Sequence, residues 1–124
     1  MAYKVLVTPA FFGRKDSAPI DLLIEAGCEV VPSPYRRTAT EEEMCALVAD
    51  VDAAIVSLDP VTEKVLASGP RLRIVARCGV GYDNVDVAAA ARMGIFVTNV
   101  PGANSRAVAE MALGLMFDVA RRIS

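Results

Sequence analysis

The sequence predicts an α/β domain in which five parallel β-strands alternate with helices in a doubly wound arrangement. Three observations indicate this fold class: five apolar runs recur along the chain, each run is continuous rather than alternating, and helical patterns lie between them. A continuous apolar run is typical of a strand that is buried on both faces of a parallel sheet. The predicted strands are residues 4–8, 28–32, 52–57, 72–77 and 95–99.

The first two predicted helices carry clear end signals. Ser17 and Pro19 open a segment that stops at Gly27, because proline suits the first helical turn and glycine suits the left-handed residue after the last one. Thr40 and Glu43 have the spacing of a capping box. In that motif the threonine oxygen accepts from the N3 amide while the glutamate reaches back to the N-cap amide. The second helix should therefore begin directly after Thr40.

Two further helices are predicted by the same reasoning. Asp59 and Pro60 indicate a helix start with Asp59 as its N-cap, and Gly69 indicates its end. Asp86 should cap an alanine-rich helix that stops at Gly94. The chain thus alternates strand and helix through its first hundred residues.

After the fifth strand the character of the chain changes. Residues 98–105 read TNVPGANS, which predicts a turn, and a long helix follows from about Asn104 to Ile123. Apolar residues recur along this helix at helical spacing, and no glycine stops it. We expect a connecting helix whose packing surface belongs to another part of the protein, with a domain boundary near residue 100.

The composition limits the partners that the domain can have. Hydrophobic residues make up 54% of the chain, a high fraction for a small soluble domain, so apolar surface should remain for a partner. That partner is either a second copy or a part of the protein outside these residues. The net charge of −2 argues against nucleic acid and against an anionic membrane surface. No apolar run is long enough for a transmembrane helix, and the first residues read as a strand rather than a signal peptide.

The three cysteines and the absence of histidine limit the chemistry. Cys28, Cys45 and Cys78 are odd in number and far apart, which indicates reduced thiols in a cytoplasmic protein. With no histidine and no C-x-x-C pair, we expect no metal site.

A glycine turn follows the fourth strand and reads RCGVGYDNVD over residues 77–86. A dinucleotide-binding loop needs G-x-G-x-x-G directly after the first strand, and Asn84 stands here at the third glycine position. The next helix starts only at Asp86, and the fifth strand does not end in an acidic residue. The turn is therefore not a dinucleotide loop.

An anion site in the same turn is the chemical alternative. Successive backbone amides at the carboxyl end of a central strand can form an anion-binding nest, and glycine lets a ligand approach the backbone closely. The candidate amides are those of Cys78, Gly79, Val80 and Gly81, with Arg77 adding a positive charge. A tight turn whose glycines serve only backbone geometry explains the spacing equally well, so from spacing alone both interpretations remain open.

The carboxyl-terminal half of the chain resembles the D-isomer-specific 2-hydroxyacid dehydrogenases, the family that includes the D-3-phosphoglycerate dehydrogenases. Three motifs carry the resemblance in order: G-x-G-x-D-N-V-D over residues 79–86, R-x-G-I-x-V-x-N-x-P over 92–101 and N-S-x-x-V-A-E over 104–110. Residues 1–70 match the amino-terminal part of the same family more weakly.

The resemblance implies a fold and a ligand. It implies that residues 1–100 form an incomplete flavodoxin-like, substrate-binding domain, and that residues 101–124 form a hinge and the first helix of a Rossmann domain that binds NAD or NADP. It also implies that the glycine turn holds the carboxylate of a small 2-hydroxy or 2-oxo acid through main-chain amides. Asn104 would lie near the cleft between the domains, and the long helix would contribute to a homodimer.

The resemblance also shows what these residues lack. The family uses a histidine as acid–base, and this chain has none, so the 124 residues alone should be inactive. A basic residue that can hold a phosphate after the third strand is replaced by Ser57-Leu58-Asp59-Pro60, although Arg14 and Lys15 follow the first strand. The expected parent is an NAD-dependent oxidoreductase of D-2-hydroxy acids, with 3-phosphoglycerate as one candidate substrate. The alternative is a stand-alone flavodoxin-like binding or dimerisation domain.

Overall fold

Five parallel strands form a single sheet with the order β2-β1-β3-β4-β5 in the computed structural model, which describes residues 2–124. The strands are β1 (Lys4–Val7), β2 (Glu29–Pro32), β3 (Ala53–Val56), β4 (Ile74–Arg77) and β5 (Phe96–Thr98). The helices are α1 (Ala18–Glu25), α2 (Glu41–Val48), α3 (Glu63–Ser68), α4 (Val87–Arg92) and α5 (Ser105–Arg121). This strand order is that of flavodoxin-like folds, so the predicted fold class is confirmed.

The direction of the connections places the helices on two faces of the sheet. From β1 the chain steps one way to β2, then crosses β1 and continues the other way through β3, β4 and β5. Because such crossovers are right-handed, α1 covers one face and α2, α3 and α4 cover the other. The hydrophobic core lies on the second face. Its largest fully buried side chains are Leu6, Met44, Leu66, Val48, Val56, Val61, Val65 and Val75.

The prediction that every strand is buried on both faces is wrong. In β3 and β4 buried residues alternate with half-buried ones, and the edge strands β2 and β5 contain no buried residue. The physical reason is that α1 alone covers one face, and none of its own side chains is buried. Phe96 on β5 is 73% exposed.

The predicted capping box at Thr40 is confirmed. Thr40 Oγ1 accepts from the Glu43 amide at 3.2 Å, and the Glu43 carboxylate accepts from the Thr40 amide at 2.8 Å. Asp86 likewise caps α4, because its carboxylate accepts from the Ala89 amide at 2.9 Å. Both motifs depend on residues three apart, so local sequence is enough to predict them.

The predicted start of α3 at Asp59 is wrong. The N-cap is Thr62, whose Oγ1 accepts from the Val65 amide at 3.4 Å. Residues before it cannot be helical, because Val61 is buried and pairs in parallel with Val85. Tertiary pairing of this segment thus displaces the N-cap by three residues, from Asp59 to Thr62.

Helix α5 follows the linker of residues 99–104 and has no buried side chain. It ends at Arg121, and the next residue, Arg122, has a left-handed φ of 52°. Its exposed apolar residues are Val108, Met111, Leu113, Leu115, Met116, Phe117 and Val119. The domain boundary near residue 100 stays a prediction. Across residues 2–124, no helix is long and apolar enough to cross a membrane.

Candidate functional site

The candidate site lies at the carboxyl edge of the sheet, where β4 ends at Arg77 and the turn of residues 78–86 leads into α4. In open α/β sheets this edge is where ligands bind. Gly79 in this turn has a φ of 149°, which L side chains rarely adopt. A Cβ at Gly79 would also overlap Nη1 of Arg77. By contrast, a Cβ at Gly81 would come no closer than 3.5 Å to another residue, so only Gly79 is required by the backbone and the packing.

The four amides predicted as a nest are not equivalent. The Cys78 amide donates to the Val56 carbonyl at 2.8 Å, and the Gly79 amide donates to the Arg77 carbonyl at 3.0 Å. The sheet and the turn thus already use these two amides, and their predicted role in holding a ligand stays a prediction. The amides of Val80 and Gly81 make no hydrogen bond within residues 2–124.

The linker after β5 orients both free amides. The Val100 amide donates to the Gly79 carbonyl at 2.9 Å, and Asn99 Nδ2 donates to the Val80 carbonyl at 2.8 Å. In a planar trans peptide the N–H points opposite to the C=O. The linker holds the carbonyls of Gly79 and Val80. The amides that follow them, those of Val80 and Gly81, therefore point away from the linker, toward the same side.

Arg77 supplies the positive charge beside these amides. It is only 9% exposed, and its guanidinium lies against Gly79, with Nη1 donating to the Cys78 carbonyl and Nε lying 3.4 Å from Asn84 Oδ1. Within the part of the chain that the structure describes, no carboxylate forms an ion pair with Arg77. A buried charge without a counter-ion is costly, so this site is suited to an anion.

A buried polar network supports the site, and the sequence did not reveal it. Asn84 Nδ2 donates to the carbonyls of Ser57 at 3.0 Å and Asp59 at 2.7 Å, which joins the turn after β4 to the loop after β3. The Asp59 carboxylate is buried and accepts from Thr8 Oγ1 at 2.5 Å, the Ala39 amide at 2.8 Å and the Ser57 amide at 3.2 Å. Asp59 thus connects three loops instead of capping a helix.

Two adjoining cavities lie at the same edge of the sheet. A cavity of about 150 Å³ is lined by Arg36, Thr8, Ser57 and Asp59, and one of about 210 Å³ is lined by Arg36 and Arg14. Lys15 lines neither of them.

Arg36 and its neighbour Arg37 differ in their ion pairing. Arg37 pairs with Glu43 at 2.8 Å, and this pair and the Thr40 amide lower the pKa of that carboxyl to about 2. Over residues 2–124, Arg36 and Arg14 form no ion pair. Their charges are therefore available to an anion.

The turn does not fit a dinucleotide. The Asp86 carboxylate caps the amino terminus of α4, where a dinucleotide loop would present free amides to the pyrophosphate. The space at Gly79 that the pyrophosphate would need is filled by Arg77. The turn therefore does not form a nicotinamide cofactor site, and none of its residues is assigned to one.

The remaining candidates have simple surroundings. Asn104 is exposed at the N-cap position of α5 and makes no side-chain cap hydrogen bond. Cys78 is a half-buried free thiol. Within residues 2–124, no three His, Cys, Asp or Glu side chains cluster as metal ligands.

The fold and this edge define a flavodoxin-like α/β domain with a glycine turn beside a buried arginine. Residues 10–116 match the model of the family described as D-isomer specific 2-hydroxyacid dehydrogenase, catalytic domain. The chain belongs to that family.

Individual relatives agree with this assignment. The chain is 40% identical over 121 residues to a D-3-phosphoglycerate dehydrogenase of Synechocystis sp., covering 97% of this chain and 20% of the relative. It is 44% identical over 105 residues to a glyoxylate reductase of Thermococcus gammatolerans, covering 84% and 31%. The crystal structure of cofactor (NAD+) bound 3-phosphoglycerate dehydrogenase of Entamoeba histolytica superposes with a TM-score of 0.83 at 31% identity, covering 95% and 39%. The chain thus spans between a fifth and two fifths of the length of these relatives.

Proposed function

We propose that this chain is the amino-terminal, substrate-binding part of an NAD-dependent oxidoreductase that interconverts a D-2-hydroxy acid and its 2-oxo acid. The observation that carries the proposal is the pair of free amides at Val80 and Gly81 beside the buried guanidinium of Arg77. A carboxylate accepts hydrogen bonds strongly from amides and from guanidinium, so this geometry matches the group that all 2-hydroxy and 2-oxo acids share.

The proposed role of these residues is binding and orientation. Amides at Val80 and Gly81 hold the carboxylate, and Arg77 compensates its charge and keeps C2 at the carboxyl edge of the sheet. When bound, the nicotinamide of NAD or NADP accepts or donates the hydride at C2. The resembled family uses a histidine as the acid–base group for the proton on the C2 oxygen, and this chain has no histidine. We therefore propose that the 124 residues alone are inactive and that Asn104 faces substrate only in the complete protein.

The cavities around Arg36 support a substrate with a second anionic group, and 3-phosphoglycerate is the candidate. Arg36 and Arg14 line one cavity without an ion pair in the described residues, and the Synechocystis relative is named a D-3-phosphoglycerate dehydrogenase. Asp59 favours a second candidate, because its carboxylate lines the adjoining cavity and would repel a phosphate. That candidate is a small 2-oxo acid without a second charged group, such as glyoxylate, which is the substrate in the name of the Thermococcus relative.

The test uses the protein expressed from its complete coding sequence. Reduction of glyoxylate, hydroxypyruvate and pyruvate with NADH, and oxidation of 3-phosphoglycerate with NAD+, are followed at the nicotinamide absorbance. We expect turnover of at least one acid, and Arg77→Met should lower kcat/KM about 10- to 100-fold, the worth of a hydrogen bond to a charged group. The control is Arg73→Met, because Arg73 is exposed at the opposite edge of the sheet. No turnover of any acid would contradict the proposal and favour a stand-alone binding or dimerisation domain.

We also propose that the protein is a cytoplasmic homodimer that uses α5 as part of its interface. One face of α5 carries four neighbouring apolar side chains, those of Ala112, Leu115, Met116 and Val119. A contiguous apolar face of this kind is typical of a protein–protein contact.

A further inference from the structure

We propose that Asn99 is a positioning residue, whose side chain aims the Gly81 amide at the substrate carboxylate. The inference rests on the proposed function, because it names what orients one of the two main-chain donors. Asn99 itself touches the Val80 carbonyl and not the substrate.

The peptide between Val80 and Gly81 has little else to hold it. Within residues 2–124, the Val80 carbonyl accepts only from Asn99 Nδ2, at 2.8 Å, and the Gly81 amide has no partner. Glycines lie on both sides of Val80, and glycine permits backbone rotations that other residues resist. Without Asn99, this peptide is therefore free to rotate and to point its N–H elsewhere.

The neighbouring peptide is held in a different way. The Gly79 carbonyl accepts from the backbone amide of Val100 at 2.9 Å, and no side-chain substitution removes that donor. Replacing Asn99 should thus disorder the Gly81 amide and leave the Val80 amide in place. The effect on carboxylate binding should be partial, whereas replacing Arg77 removes the positive charge itself.

The expected size follows from one charge-assisted hydrogen bond. Full loss of such a bond weakens binding about 10- to 150-fold. In Asn99→Ala the peptide can still turn toward the carboxylate, but it must be ordered during binding, so we expect about a tenfold rise in KM for the acid.

The experiment compares glyoxylate with methyl glyoxylate in the complete protein. The ester keeps the reacting carbonyl and lacks the carboxylate charge, so the ratio of kcat/KM for acid to ester measures carboxylate recognition. Asn99→Ala should lower this ratio about tenfold, with the KM for NADH and the melting temperature close to wild type. Asn99→Leu keeps about the same side-chain size, removes the donor without adding a charge and should lower the ratio by a similar factor. Thr98→Ala is the control, since Thr98 is exposed in the adjacent position of the chain.

The outcomes separate the two proposals. If wild type prefers the acid and loses that preference in Arg77→Met, but both Asn99 variants keep the wild-type ratio, the role of Asn99 is overturned and the proposed function stands. An equal loss for acid and ester would show a structural role for Asn99 and would also overturn the inference. If wild type turns over neither compound nor any other 2-oxo acid, both proposals fail.

Discussion

The guanidinium of Arg77 fills the space that a side chain at Gly79 would occupy. The strand residue Arg77 thus packs against Gly79, the turn residue two positions later. Gly79 also has a φ of 149°, so the turn depends on glycine for its backbone as well as for its packing.

Gly79→Ala should destabilise the domain and displace Arg77. A residue held in such a sparsely populated backbone region costs about 1–3 kcal/mol, and the overlap with Nη1 adds to this. The free energy of unfolding in urea measures the loss. Gly81→Ala is the matched control and should change stability by less than about 0.5 kcal/mol, because its Cβ has room. Equal losses in the two variants would contradict the geometry of the turn.

Asp59→Ala should cost about 2–6 kcal/mol of stability. The change leaves the amides of Ala39 and Ser57 without their carboxylate partner. Each buried donor that loses its hydrogen-bond acceptor costs about 1–3 kcal/mol. Chemical denaturation at neutral pH measures it, with Asp83→Ala as a control at an exposed aspartate. A variant as stable as wild type would mean that the buried network does not support the fold.

The Arg37–Glu43 pair should make a pH-dependent contribution to stability. The Arg37 guanidinium, together with the Thr40 amide, lowers the pKa of Glu43 from 4.5 to about 2. A depressed carboxyl pKa stabilises the folded state above the unfolded value near 4.5, and this contribution is lost as the pH falls toward 2. The melting temperature of wild type should therefore exceed that of Arg37→Gln at pH 7, and the two should converge near pH 2. A difference that is the same at both pH values would exclude this linkage.

Arg36→Ala should distinguish phosphorylated from small substrates. Arg36 lines both cavities beside the site, and its charge is not compensated by an ion pair in the described residues. If 3-phosphoglycerate is the substrate, its KM should rise about 10- to 100-fold, the worth of a charged hydrogen bond, while the KM of glyoxylate stays the same. Arg73→Ala serves as control. An unchanged KM for 3-phosphoglycerate would favour the small oxo acids.

Met116→Asp should dissociate the proposed dimer. Met116 is 65% exposed on an apolar face of α5, and a buried charge without a partner is strongly unfavourable in an interface. Light scattering coupled to size-exclusion chromatography measures the mass. Arg106→Asp, at the polar start of the same helix, should keep the wild-type mass. A wild-type protein that is already monomeric would contradict the dimer.

The sequence predicts the fold well because the relevant signals are local. Apolar runs and the caps at Thr40 and Asp86 depend on residues a few positions apart, and the structure confirms them. The prediction that Asp59 caps a helix is wrong for the opposite reason. Its partners Thr8 and Ala39 are 51 and 20 residues away, and nothing near Asp59 in the chain signals them.

The sequence predicts only part of the geometry of the candidate site, again because contacts with distant residues determine it. The position of the turn and of Arg77 follows from the sequence. Which amides of the turn already donate a hydrogen bond, and which are free, depends on contacts with β3 and with the linker. The Val56 carbonyl accepts a hydrogen bond from the Cys78 amide, and the Asn99 side chain orients the Gly81 amide. Neither contact leaves a pattern in the sequence.

A crystal structure of the complete protein with bound oxamate, a non-reacting analogue of a 2-oxo acid, would show whether these amides hold the carboxylate. We expect a carboxylate oxygen roughly 2.7–3.2 Å from the amide nitrogens of Val80 and Gly81, with Arg77 beside it. A carboxylate bound elsewhere, with these two amides facing only water, would contradict this expectation.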